Sequence, residues 1–163
     1  MSSLKKTPPF TLVKSLLQGF DINDRINHFM LENVAPDIWR TSPPSGKGRT
    51  IAEIAAHIHN ARTMWLKAVN YPSLPSKLEG DEYSPADVIK ALKQSQAGLK
   101  EVLENSFASD GRVKSFKPDA GSFFAYLIAH DSHHRGQVMM LSRQLGHGFA
   151  ARVGYGMWEW NSR

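Results

Sequence analysis

The chain has 163 residues, 41% of them hydrophobic, no cysteine, and a formal net charge of +5. That length suits one domain with a sizeable core, and no apolar run is long enough to cross a bilayer. The missing cysteines exclude disulfides, thiolate metal ligands and a cysteine nucleophile, while scattered basic residues with no run of five or more argue against a nucleic-acid role.

The opening Met1-Ser2-Ser3-Leu4-Lys5-Lys6 runs into prolines rather than an apolar signal core, so secretion is not expected, and a cytoplasmic setting fits the lack of cysteine. A first helix is predicted from about Phe10 to Asn33. Leu12, Leu16, Phe20, Ile26, Phe29 and Met30 mark its apolar face, Gly19 weakens it, and Pro36 ends it. The stretch from Arg40 to Arg49 is too rich in Pro and Gly to be helical.

The second helix has a clear start, because Thr50 as N-cap and Glu53 three residues on form a capping box. Ile54, His57, Ile58, Ala61, Trp65 and Ala68 share one face, and Tyr71-Pro72 stops the helix. In the third helix Ser84 caps, Pro85 takes the first position and Asp87 favours the dipole. Val88, Leu92, Leu99 and Leu103 form its stripe.

The fourth helix is predicted from about Asp119 to Leu145, with Phe123, Leu127, His130, His134, Val138, Leu141 and Leu145 in line and Gly146 beyond its end. The tail carries Tyr155, Trp158 and Trp160 and is expected to pack across the bundle. No strand alternation is visible. Four amphipathic helices bury their faces only against each other, so the fold class is all-α, a four-helix bundle. A single domain is expected over 1–163, with its core at about 10–146 and the aromatic tail at 147–163.

His130 and His134 stand four residues apart on the predicted helix, on one face and about one turn from each other, where two imidazoles can share a metal ion. His133 could replace either, but the apolar stripe favours the 130/134 pair. His57 and His59 point about 200° apart on a helix, so both cannot face the core. His57 shares a face with Ile54, Ala61 and Trp65, whereas His59 shares one with Arg62 and Thr63, read as polar surface. The expected ligand set is therefore His57, His130 and His134, leaving open positions as catalytic sites require. Asp131, His133 and Gln137 are expected around these ligands, with Gln137 placed to hold a metal water and Gly136 to admit a neighbouring helix. Arg135 is read as structural ahead of anion-binding, and His28 and His147 as surface groups. His130-Asp131-Ser132-His133-His134 is not a zincin motif, because Asp131 replaces the glutamate and no third downstream ligand follows.

The run His130-Asp131-Ser132-His133-His134-Arg135-Gly136-Gln137, with a histidine inside Ala56-His57-Ile58 and Trp65 downstream, resembles the DinB-like (DinB/YfiT-like) family over roughly Leu12 to Leu145. The resemblance implies a four-helix bundle, commonly dimeric, with a divalent metal held by His57, His130 and His134. It also implies kinship with thiol-dependent S-transferases and a mycothiol-dependent isomerase.

The function expected is that of a metal-dependent enzyme of thiol S-transferase or hydrolase type. Its metal is zinc or nickel, and its substrate is a small molecule, with a low-molecular-weight thiol as one candidate. No catalytic residue is assigned, although His133, His59 and Asp131 are candidate acid-base groups. The alternative is a non-enzymatic, metal-binding, stress-linked bundle. In either case no membrane is involved and a homodimer is expected.

Overall fold

The structure is a computed structural model that describes residues 10–80 and 82–163. The expectation about secretion rests on residues 1–6, which lie outside that range. Four long helices dominate: α1 (Leu12–Glu32), α2 (Ile51–Ala68), α3 (Pro85–Phe107) and α4 (Ala120–Gln144). A short helix α5 (Ala151–Gly156) follows in the tail. No helix among the described residues is long and apolar enough to cross a membrane.

The helix starts follow local chemistry. Thr50 Oγ1 accepts from the Glu53 amide and the Glu53 carboxylate accepts from the Thr50 amide, closing the capping box. Ser84 and Asp87 make the same pair at α3, where Pro85 sits at the first helical position. The Asp119 carboxylate caps α4 by accepting from the Ser122 amide at 2.7 Å.

Within the bundle each of α1 and α2 packs against both α3 and α4. This places α1 and α2 on one diagonal, with α2 and α4 in direct contact. Gly98 of α3 lets α2 come close, since a Cβ there would stand 3.0 Å from both Leu66 Cδ2 and Tyr71 Cε1. Between α3 and α4 the chain forms a small antiparallel hairpin, β1 (Arg112–Val113) and β2 (Phe116–Asp119), turned by Ser115 at φ +67°. The hairpin is not legible in the sequence, because strands this short show no alternation.

The apolar core falls into two clusters. One holds Ile26, Met30, Ile58, Leu92 and Val138; the other holds Phe20, Leu66, Leu99, Phe123 and Leu127. Buried polar side chains stand between them on every long helix: Asn23, Asp24 and Asn27 on α1, Arg62 on α2, Ser95 and Gln96 on α3, and Asp131 on α4. Each buried aliphatic side chain contributes about 1.5–3 kcal/mol. The polar layer is tolerated because each member finds a hydrogen-bond partner.

The tail packs on the bundle, as expected, but not through its aromatics. Val153, Gly156 and Met157 are buried, and the Arg163 guanidinium lies 3.7 Å over the Phe29 ring. Tyr155 and Trp158 stay 75% and 80% exposed. The aromatics are therefore not what anchors the tail; small and aliphatic residues fit against α1 instead.

Candidate metal centre

α2 and α4 bring His57, His130 and His134 together. One ring nitrogen from each lies within 4.8 Å of the others, a grouping that could hold a metal ion. Ring centroids are 4.4 Å apart for His130 and His134, 4.7 Å for His57 and His134, and 5.4 Å for His57 and His130. The Nε2 atoms of His130 and His134 are 3.2 Å apart. Two nitrogens bound tetrahedrally at 2.0–2.1 Å would stand about 3.3 Å apart, so this pair already has the spacing of two ligands. His134 Nδ1 donates to Gln137 Oε1 at 2.8 Å, which leaves the His134 Nε2 lone pair facing the other two rings.

The electrostatics suit a cation that needs neutral ligands. Burial, then the charges of Arg49, His134 and His130, pushes His57 down to about 4. Burial also lowers His134, against the opposing effect of its bond to Gln137. Both imidazoles are therefore neutral at pH 7, with nitrogen lone pairs available.

Beneath the rings lies a buried ion-pair layer. Arg62 donates to Asp24 Oδ1 at 2.7 Å and to Asp131 Oδ2 at 2.6 Å. Asp131 Oδ2 also accepts from Asn23 and Asn27, at 2.7 and 3.0 Å. The oxygens of those two amides in turn accept from Arg135, each at 2.7 Å. Burial alone would raise the Asp131 carboxyl, but the Arg62 charge and the hydrogen bonds outweigh it and hold the group well below its usual range. Asp131 Oδ1 stands 3.9 Å from His130 Nδ1, too far for a direct hydrogen bond but close enough to orient the ring by charge.

Several expectations need correction. The His59, Arg62 and Thr63 face of α2 is buried, not surface. His59 is fully enclosed, with ring nitrogens 3.0 Å from Ser95 Oγ and 2.9 Å from the Ser76 carbonyl. Neither it nor Asp131, whose bonds all serve the buried layer, is placed for acid-base work. His28 is buried too, 3.0 Å from the Asp24 carboxylate, whereas His147 is at the surface beside Asp37. Gly136 admits no neighbouring helix: a Cβ there would meet nothing within 4 Å among the described residues. Arg135 serves the structural role expected of it.

His133 is exposed and lies outside the three-ring group, with its ring 4.9 Å from that of His134. It lines a cavity of about 660 Å³ shared with Lys47, Arg49, Gly136 and Gln137. The cavity walls do not include the three imidazoles, but Gln137 joins the two directly through its bond to His134. On the other side, Trp65 packs edge-on against Phe116, Phe123 and Tyr126, and Tyr126 lies 6.0 Å from His130. Sequence reasoning missed Asn23, Asp24, Asn27 and Arg62. The available signal was the run of short polar side chains at helical spacing inside the otherwise apolar face of α1.

The family model of the DinB family matches residues 10–151. No curated protein matches the chain. A crystal structure of a protein assigned to the DinB family, from Exiguobacterium sibiricum 255-15, is similar in fold, with a TM-score of 0.62 at 17% identity. The match covers 89% of this chain and 99% of that one.

Proposed function

The chain belongs to the DinB family, and from that premise we propose that it is a metal-dependent enzyme of thiol S-transferase or hydrolase type, with His57, His130 and His134 as metal ligands. The observation that carries this reading is the convergence of three ring nitrogens within 4.8 Å, on two helices locked together by a buried ion pair. Zinc or nickel is the expected metal, since both suit imidazole ligands. A divalent ion there supplies Lewis acidity, bringing a bound water or thiol toward a pKa near neutrality.

The chain's own residues have distinct tasks. Gln137 fixes the His134 tautomer, and the Asp131 carboxylate orients His130 while Arg62 ties α4 to α2. We assign proton transfer to His133, the imidazole on the cavity wall. A reacting thiol must come from the substrate, because the chain has no cysteine. A single cytoplasmic domain acting as a homodimer completes the reading. The exposed Tyr155, Trp158 and Trp160 support the homodimer, since they give the tail an apolar surface.

The test compares metal-loaded with chelator-treated protein for thiol transfer and for hydrolysis over a panel of small molecules. Activity lost on chelation and restored by metal supports the enzyme. Tight metal binding with no turnover in either assay favours the non-enzymatic metal-binding bundle.

A further inference from the structure

The cavity beside the three imidazoles has an uneven charge. Lys47 and Arg49 both line it, and no acidic side chain does. Neither cation makes a side-chain hydrogen bond or ion pair among the described residues. The nearest carboxylate in sequence, Glu53, is occupied at the α2 cap, where it accepts from the Thr50 amide at 2.7 Å.

The loop that carries these cations is braced. Gly46 donates to the Pro43 carbonyl at 2.9 Å, and Ser45 Oγ donates to the Lys47 carbonyl at 3.0 Å. Gly48 adopts φ +105°, which glycine alone reaches without strain. Arg49 then precedes the capped first turn of α2, so its backbone is held at the mouth of the helix that carries His57. Across the cavity, Gln137 and Gln144 offer neutral hydrogen-bonding groups.

We propose that Lys47 and Arg49 form an anion subsite, and that the substrate is a small molecule carrying a carboxylate or phosphate bound there while its reacting atom reaches the three imidazoles. The second half rests on the metal-dependent reading above; the anion subsite itself does not. Two unpaired cations facing neutral donors select a negative group and reject a neutral analogue. Arg49 suits a planar two-oxygen contact and Lys47 a point charge.

Two measurements separate the parts. In the first, metal-free protein is titrated with inorganic phosphate and followed by NMR through the side-chain amides of Gln137 and Gln144. Saturable shifts in the wild type, absent in the Lys47→Gln/Arg49→Gln double variant, are expected. No shift, or the same shift in the variant, overturns the subsite whatever the metal does.

In the second, cobalt-loaded protein is titrated with 3-mercaptopropionate and with 2-mercaptoethanol, and the thiolate-to-cobalt absorption band is read. The acidic thiol should bind about tenfold more tightly than the neutral one. The double variant should still bind cobalt but take up the two thiols with equal affinity. Equal affinities in the wild type would overturn the substrate assignment. Failure to bind cobalt at all would overturn the metal reading, and with it the substrate half of the proposal, but not the subsite.

Discussion

Arg62 on α2 reaches Asp131 on α4 across 2.6 Å, with side chains only 1% and 2% exposed. This contact joins the helix that carries His57 to the helix that carries His130 and His134, so it sets the distance over which three imidazoles meet. Removing one member of a buried ion pair leaves the other charge uncompensated, at a cost of about 3–5 kcal/mol. Arg62→Leu strands both Asp24 and Asp131. Urea unfolding should show a loss of that size; a loss under about 1 kcal/mol would mean the layer relaxes or admits water.

Gln137 touches the three-imidazole group through His134. Its Oε1 accepts from His134 Nδ1 at 2.8 Å and so presents the His134 Nε2 lone pair to the cluster. Loss of such an outer hydrogen bond lowers metal affinity by about 10–100-fold. Chelator competition on Gln137→Ala should report a drop in that range with little change in urea midpoint, because Gln137 is exposed. Gln137→Glu keeps an acceptor and should retain most of the affinity. Unchanged affinity in the alanine variant would remove Gln137 from the site.

The helix caps and the His130/His134 pair were legible because their signals are local. Thr50 with Glu53, Ser84 with Asp87, and two histidines four apart each need only one turn of chain to be recognised. The buried layer was not legible, because Arg62 finds Asp24 and Asp131 at separations of 38 and 69 residues. A helix face with His59, Arg62 and Thr63 looks solvated until those distant partners are known, which is why the sequence alone puts His59 on the wrong side. The way the tail docks was hidden for a related reason. Its large aromatics suggested burial, but the close fit of Gly156 and Met157 against α1 is a matter of shape.

Acid sensitivity follows from Asp24. Burial would raise its carboxyl, but the Arg62 charge and the adjacent His28 outweigh that and hold it below the usual 3.8. A carboxylate depressed in the folded state stabilises the protein above 3.8, and that stability is lost as pH falls from there through its lower folded value. Asp24→Asn should therefore be less stable than wild type at pH 7, and the gap should narrow as pH drops below about 4. Urea midpoints of both metal-free proteins across that range provide the comparison. A constant gap would contradict the assignment.

Two glycines should respond in opposite directions. Gly98 is closed in by Leu66 and Tyr71 at 3.0 Å, so Gly98→Val overpacks the α2–α3 contact and should cost about 1–3 kcal/mol. Gly136 lies within α4 with nothing within 4 Å among the described residues, so Gly136→Ala should gain up to about 1 kcal/mol from helix propensity. Thermal unfolding of both variants reads the two signs, and a stable Gly98→Val would deny the close approach.

The proposed centre has His57, His130 and His134 binding one metal ion together. It is tested most directly by metal content per chain in the wild type and in His57→Ala, His130→Ala and His134→Ala, each checked for folding by circular dichroism. One divalent ion per wild-type chain, lost from each folded variant, is the expected result. Full metal content in any folded variant would contradict the ligand set, and no metal in the wild type after reconstitution would contradict the centre itself.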